Sequence, residues 1–117
     1  MLDASGVAYA AKKKKADPPY ASSGVISGTS LTYENLQIND FGKATITIFN
    51  PENTGVSFSA NFSFYTAKGA YLTGFKVSGF ASRTARSAFF IDVPEYKRLK
   101  KASYMKVLGR AGRSAGD

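Results

Sequence analysis

Val56-Ser57-Phe58-Ser59-Ala60-Asn61-Phe62-Ser63-Phe64 alternates apolar or small residues with polar ones at every step. An extended chain points successive side chains to opposite faces, so this period of two predicts a strand with one buried and one solvated face. Val56, Phe58, Ala60, Phe62 and Phe64 fall on the inner face, and Ser57, Ser59, Asn61 and Ser63 on the outer. A sheet wetted on one side is characteristic of antiparallel architecture, because parallel sheets are covered on both faces. Burying the five inner residues contributes on the order of 10 kcal/mol at about 2 kcal/mol each, an upper bound because unfolded chains already hide some apolar surface.

The same period returns elsewhere. Ala44, Ile46 and Ile48 alternate with Thr45 and Thr47, and Phe89, Ile91 and Val93 alternate near the other end of the chain. The spacing predicts strands near Val25 to Ser27, Leu31 to Ile38, Ala44 to Asn50, Val56 to Tyr65, Tyr71 to Gly79, Ala88 to Val93 and Ser103 to Leu108. Between them lie Asn39-Asp40-Phe41-Gly42, Asn50-Pro51-Glu52-Asn53-Thr54-Gly55 and Ala67-Lys68-Gly69, whose residues suit tight turns. The expected fold is therefore all-β: an immunoglobulin-like antiparallel β-sandwich of about seven strands with flexible basic termini. Its expected core includes Ile46, Ile48, Val56, Phe58, Phe62, Phe64, Phe89 and Ile91. Glu95 to Lys106 reads as a loop leading into the last strand, although Tyr96, Leu99 and Ser103 are spaced loosely like a helical face.

A chain of 117 residues suits one domain. Residues 24–108 form the expected sandwich and residues 109–117, with no apolar side chain larger than alanine, a disordered tail. Residues 1–23 read as a residual export signal or a flexible basic segment. Ala8-Tyr9-Ala10 fits a small-x-small cleavage pattern ending at Ala10, but the apolar stretch before it is short, carries Asp3 and lacks a basic start. An incomplete signal peptide and an extracellular or envelope location are the expectation, with a cytoplasmic location as the alternative.

The net charge of +8 directs attention to anionic partners. Between residues 16 and 96, however, Lys43, Lys68, Lys76, Arg83 and Arg86 are outnumbered by Asp17, Glu34, Asp40, Glu52, Asp92 and Glu95. The basicity belongs to the ends. Lys12, Lys13, Lys14 and Lys15 at one end, and Lys97, Arg98, Lys100, Lys101, Arg110 and Arg113 toward the other, are the candidate polyanion-binding residues. Such charge runs also occur simply as solvated flanks.

Cysteine and histidine are both absent. That removes disulfides and thiolate or imidazole metal ligands, and leaves the serines without a histidine to activate them. No phosphate-binding GxxxxGK[ST] or GxGxxG sequence occurs. No catalytic residue, metal or cofactor is expected, and no transmembrane segment. Lys68-Gly69-Ala70-Tyr71 is faintly like the start of the basic-glycine-aromatic signature of RNA-recognition sheets, but is better explained as a hairpin turn. Asn61-Phe62-Ser63 is formally a glycosylation sequon on the solvated face.

Ile46-Thr47-Ile48-Phe49-Asn50, then Val56 to Phe64-Tyr65, then Lys68-Gly69 and an exit strand through Phe75 and Val77 form a recognisable order. A strand ending in asparagine leads into a long alternating strand that closes on Phe-Tyr and a glycine turn. In this respect residues 24–108 resemble the FxLYD group of bacterial envelope β-sandwich domains. The resemblance implies an immunoglobulin-like module of the cell envelope or exterior, without catalytic residues. The functional expectation is a non-enzymatic module for interaction with a protein, a membrane surface or a wall polymer. The alternative is a nucleic-acid-associated protein using basic terminal arms on a neutral β body.

Overall fold

The computed structural model describes residues 18–113. Seven strands run in chain order: β1 (Gly24–Val25), β2 (Thr32–Ile38), β3 (Lys43–Phe49), β4 (Val56–Tyr65), β5 (Tyr71–Ala81), β6 (Arg86–Asp92) and β7 (Tyr104–Arg113). They form two antiparallel sheets, one ordered β1-β2-β3-β6 and the other β5-β4-β7. The all-β sandwich expected from the alternating runs is the fold of the chain.

β4 explains why. It is the middle strand of its sheet, paired along its whole length on both sides. Its inner residues Val56, Phe58, Ala60, Phe62 and Phe64 are all buried. Phe62 stacks on Phe75 of the neighbouring strand at 4.8 Å between ring centroids, and meets Tyr33 of the opposite sheet edge-on at 5.3 Å. Burial pushes the Tyr33 phenol pKa up, and its hydroxyl donates to the Ala21 carbonyl at 3.1 Å. Ser57 and Asn61 are exposed on the outer face, whereas Ser59 and Ser63 are half-buried.

The opposing sheet contributes Ile46 and Ile48, both buried. On β2, Tyr33 and Leu36 are both buried although an odd number of positions apart. A bulge between Glu34 and Gln37, with Asn35 at φ 55°, restores the inward phase. Asn50, buried at the end of β3, donates to the carbonyls of Thr54 and Ala81 and accepts from the Glu52 amide. It thereby ties the start of β4 to the end of β5, a physical role for the asparagine that closes the third strand.

Three expectations need correction. Phe89 and Ile91 pack against the core but are only half-buried, because β6 is an edge strand with a partner on one side. Residues 97–101 are not plain loop, since Tyr96–Lys101 forms a 3-10 helix. Residues 109–113 are not tail: β7 continues to Arg113, which pairs with Val56. Backbone pairing with β4 extends that strand where side-chain apolarity does not. Gly109 fits because any Cβ there would lie 2.8 Å from Ile26 Cγ2 and from the Ser59 carbonyl oxygen. Residues 1–17 and 114–117, including the cleavage pattern at Ala10 and Lys12 to Lys15, lie outside the described residues.

Candidate functional site

The register of the three-stranded sheet lays its outer face out in cross-strand rows. Reading from β5 across β4 to β7, the rows are Tyr71, Tyr65, Tyr104; then Gly74, Ser63, Lys106; then Lys76, Asn61, Leu108; then Ser78, Ser59, Arg110; and finally Phe80, Ser57, Gly112. Three cations and no carboxylate stand on this face. At one end the tyrosines form a continuous aromatic row. Tyr65 and Tyr104 stack nearly parallel at 5.3 Å, Tyr71 meets Tyr65 edge-on at 5.9 Å, and the Lys106 ammonium lies 5.2 Å from the Tyr65 ring centre. Cross-strand aromatic pairs stabilise a sheet locally, so part of this row is structural. Tyr71 nevertheless remains 59% exposed.

The 3-10 helix closes the same end of the sandwich. With three residues per turn, Tyr96 and Leu99 fall on one side and pack against the core. Lys97, Arg98, Lys100 and Lys101 are thereby left exposed. Arg98 reaches Glu95 at 3.6 Å and donates to the Leu72 carbonyl at 3.4 Å, which fastens the helix to the start of β5. Lys97, Lys100 and Lys101 have no carboxylate within ion-pair distance among the described residues. The helix then hands over to β7 where the Ser103 amide donates to the Tyr65 carbonyl at 2.7 Å. Lys68, exposed in the β4–β5 turn, belongs to this end as well.

The described chain also enters here. Tyr20 lies edge-on to Phe64 at 5.9 Å, and its hydroxyl accepts from the Ile38 amide at 3.2 Å. The segment that follows Lys12 to Lys15 in sequence is thus anchored at the basic end. Arg110 is exposed but stands about 20 Å along β7 from Tyr104, and Arg113 terminates that strand. The structure therefore brings Lys97, Arg98, Lys100 and Lys101 together and separates them from Arg110 and Arg113. The sequence does not mark Tyr65, Tyr104 and Lys106 as site residues, and marks Lys68 and Tyr71 only as part of one short string; the strand register brings the three tyrosines and Lys106 onto one face.

Beside the tyrosine row, a shallow depression of about 390 Å³ lies over the edge of β5, between Gly74 on the three-stranded sheet and Ile91, Asp92 and Pro94 at the end of β6. Asn61, Ser63, Tyr71, Lys76 and Asp92 are among the residues around it. Among the described residues, no group of three or more acidic side chains is gathered as for a metal ion, and no helix is long and apolar enough to cross a membrane. No family model matches the sequence, and no curated protein or solved structure shows significant similarity to the chain.

Proposed function

We propose that this chain is a non-enzymatic β-sandwich module that holds an anionic polymer of the cell envelope or exterior at its basic end. One observation carries the reading. Lys97, Lys100 and Lys101 stand exposed on a short helix pinned to the sandwich, without carboxylate partners among the described residues. Lys68 and Lys106 stand on the same end. A cluster of cations on a rigid support attracts polyanions by releasing their counterions, and its affinity falls as salt rises. The envelope setting is supported by the resemblance of residues 24–108 to the FxLYD domains. The nucleic-acid alternative uses basic terminal arms on a neutral β body; the C-terminal one is strand as far as Arg113.

The test is binding of long-chain polyphosphate at low and physiological salt. Replacing Lys97, Lys100 and Lys101 together by glutamine weakens binding about tenfold or more and flattens its salt dependence, while the melting temperature stays unchanged. Unaltered affinity in the triple variant would refute the assignment of the basic end. A single-stranded oligonucleotide bound more than tenfold tighter than polyphosphate of equal charge would overturn the reading in favour of nucleic acid.

A further inference from the structure

We propose that the depression at Gly74 is a saccharide subsite that accepts one acidic sugar unit of the bound polymer. The inference rests on the anionic-polymer reading and adds the chemistry of the repeating unit.

The second row carries no side chain on β5: Gly74 is buried, and a Cβ there would run into the Phe62 carbonyl of β4. A bulge between Phe64 and Tyr65 carries Tyr71 to the next row, where it borders the gap. On the other side stands Lys76, and Ser63 and Asn61 come from the neighbouring strand. The depression is shallow and open, about 390 Å³ in volume, so one sugar unit would lie against it rather than be enclosed.

Each group suits a sugar. Tyr71, 59% exposed, offers an aromatic surface to the C–H face of a pyranose and a hydroxyl to its rim. The Asn61 amide both donates and accepts, as does the Ser63 hydroxyl. Neither side chain is hydrogen-bonded within the protein among the described residues. The sign of charge follows from what remains unpaired. Asp92 at the margin is held by Lys43 at 2.6 Å, whereas Lys76 has no carboxylate partner among the described residues. Lys76 therefore offers an acidic sugar an ammonium that no carboxylate within ion-pair distance already engages among the described residues. A run of nucleobases is served less well: single-strand binding uses several open rings in succession, and Tyr65 is already stacked on Tyr104 with Lys106 against it.

The experiment follows backbone amide shifts of the isotope-labelled full chain with three probes: trigalacturonate, a neutral galactose trisaccharide and tripolyphosphate. Trigalacturonate is expected to shift the amides of Asn61, Ser63, Tyr71, Gly74 and Lys76 saturably, with the neutral sugar at least tenfold weaker. Tripolyphosphate is expected to shift Lys97 to Lys101 and leave Gly74 in place. Tyr71→Ala and Lys76→Gln each weaken trigalacturonate binding about tenfold, and Asn61→Ala provides a third exposed position; unchanged melting shows that the variants fold. Equal shifts at Gly74 with tripolyphosphate, or none there with trigalacturonate at millimolar concentration, would overturn the subsite. If tripolyphosphate still binds the 3-10 helix in that case, only the subsite falls; if neither probe binds, the anionic-polymer reading falls with it.

Discussion

The outer faces of the two sheets handle charge in opposite ways. On the four-stranded sheet every outward charge is paired: Lys43 with Asp92 at 2.6 Å, and Arg86 with Glu34 at 3.0 Å. Arg86 also covers the Phe49 ring, 4.3 Å from its centre. These contacts join β3 to β6 and β2 to β6, so the charges of that face hold its own strands in register, while Phe90 stands 78% exposed beside them. On the three-stranded sheet Lys76, Lys106 and Arg110 face outward with no carboxylate within ion-pair distance among the described residues. Serines, tyrosines, Asn61, Leu108, Phe80 and two glycines occupy the other positions. The contrast teaches that net charge is a poor guide to a binding surface; what matters is which cations the fold leaves without partners.

The largest expected effect tests whether the two faces of β4 are as different as the burial pattern makes them. Phe62→Ala removes a fully buried ring from between Phe75 and Tyr33 and is expected to cost about 4 kcal/mol in denaturant unfolding. Ser63→Ala, one position along on the outer face, is expected to change stability by less than about 0.5 kcal/mol. Comparable losses at the two positions would break the division into a structural inner face and an available outer one.

A smaller effect separates the buried tyrosine from those in the exposed row. Tyr33→Phe keeps the ring but removes the donor to Ala21, at a cost of about 1 kcal/mol. The cost depends on pH in one direction. Because burial raises the folded-state pKa of Tyr33 above its ordinary value of 10.0, its contribution is fully present below that pH. Above it the unfolded chain releases the proton first, and stability is lost as pH rises through the folded-state pKa. The gap between the wild type and Tyr33→Phe is therefore expected to narrow in alkali. A gap that widens above pH 10 would contradict a desolvated phenol.

These contrasts also mark what could be read from the chain before folding. β4 was legible because its period of two has no fault, and the bounds Val56–Tyr65 are those of the structure. β7 beyond Leu108 was not, because Gly109, Ala111 and Gly112 carry no apolar signal and are held as strand by pairing with Ala60, Phe58 and Ser57. The 3-10 helix showed only as the interval between Tyr96 and Leu99, too short a repeat to distinguish from loop. Lys97, Arg98, Lys100 and Lys101 could be named from sequence, but their placement beside Lys68 and Lys106 could not. Tyr65, Tyr71 and Tyr104 form one row only after β5, β4 and β7 have paired in register. A bulge decides that Tyr71, and not Leu72, completes it.

The finest test of the charge contrast compares two arginines on the two outer faces. Arg86 and Arg110 are both exposed, yet one has a carboxylate and a ring to hold and the other has no ion-pair partner among the described residues. Arg86→Ala should cost up to about 1 kcal/mol, since an exposed ion pair and an exposed cation–ring contact each contribute only fractions of that. Part of that loss should vanish in high salt, which screens the pair. Arg110→Ala should leave stability within about 0.5 kcal/mol of wild type at any salt concentration. If Arg110 proved the more stabilising of the two, its side chain would be engaged within the fold. The three-stranded sheet would then be as self-contained as its counterpart, and the reason for placing a partner on it would be gone.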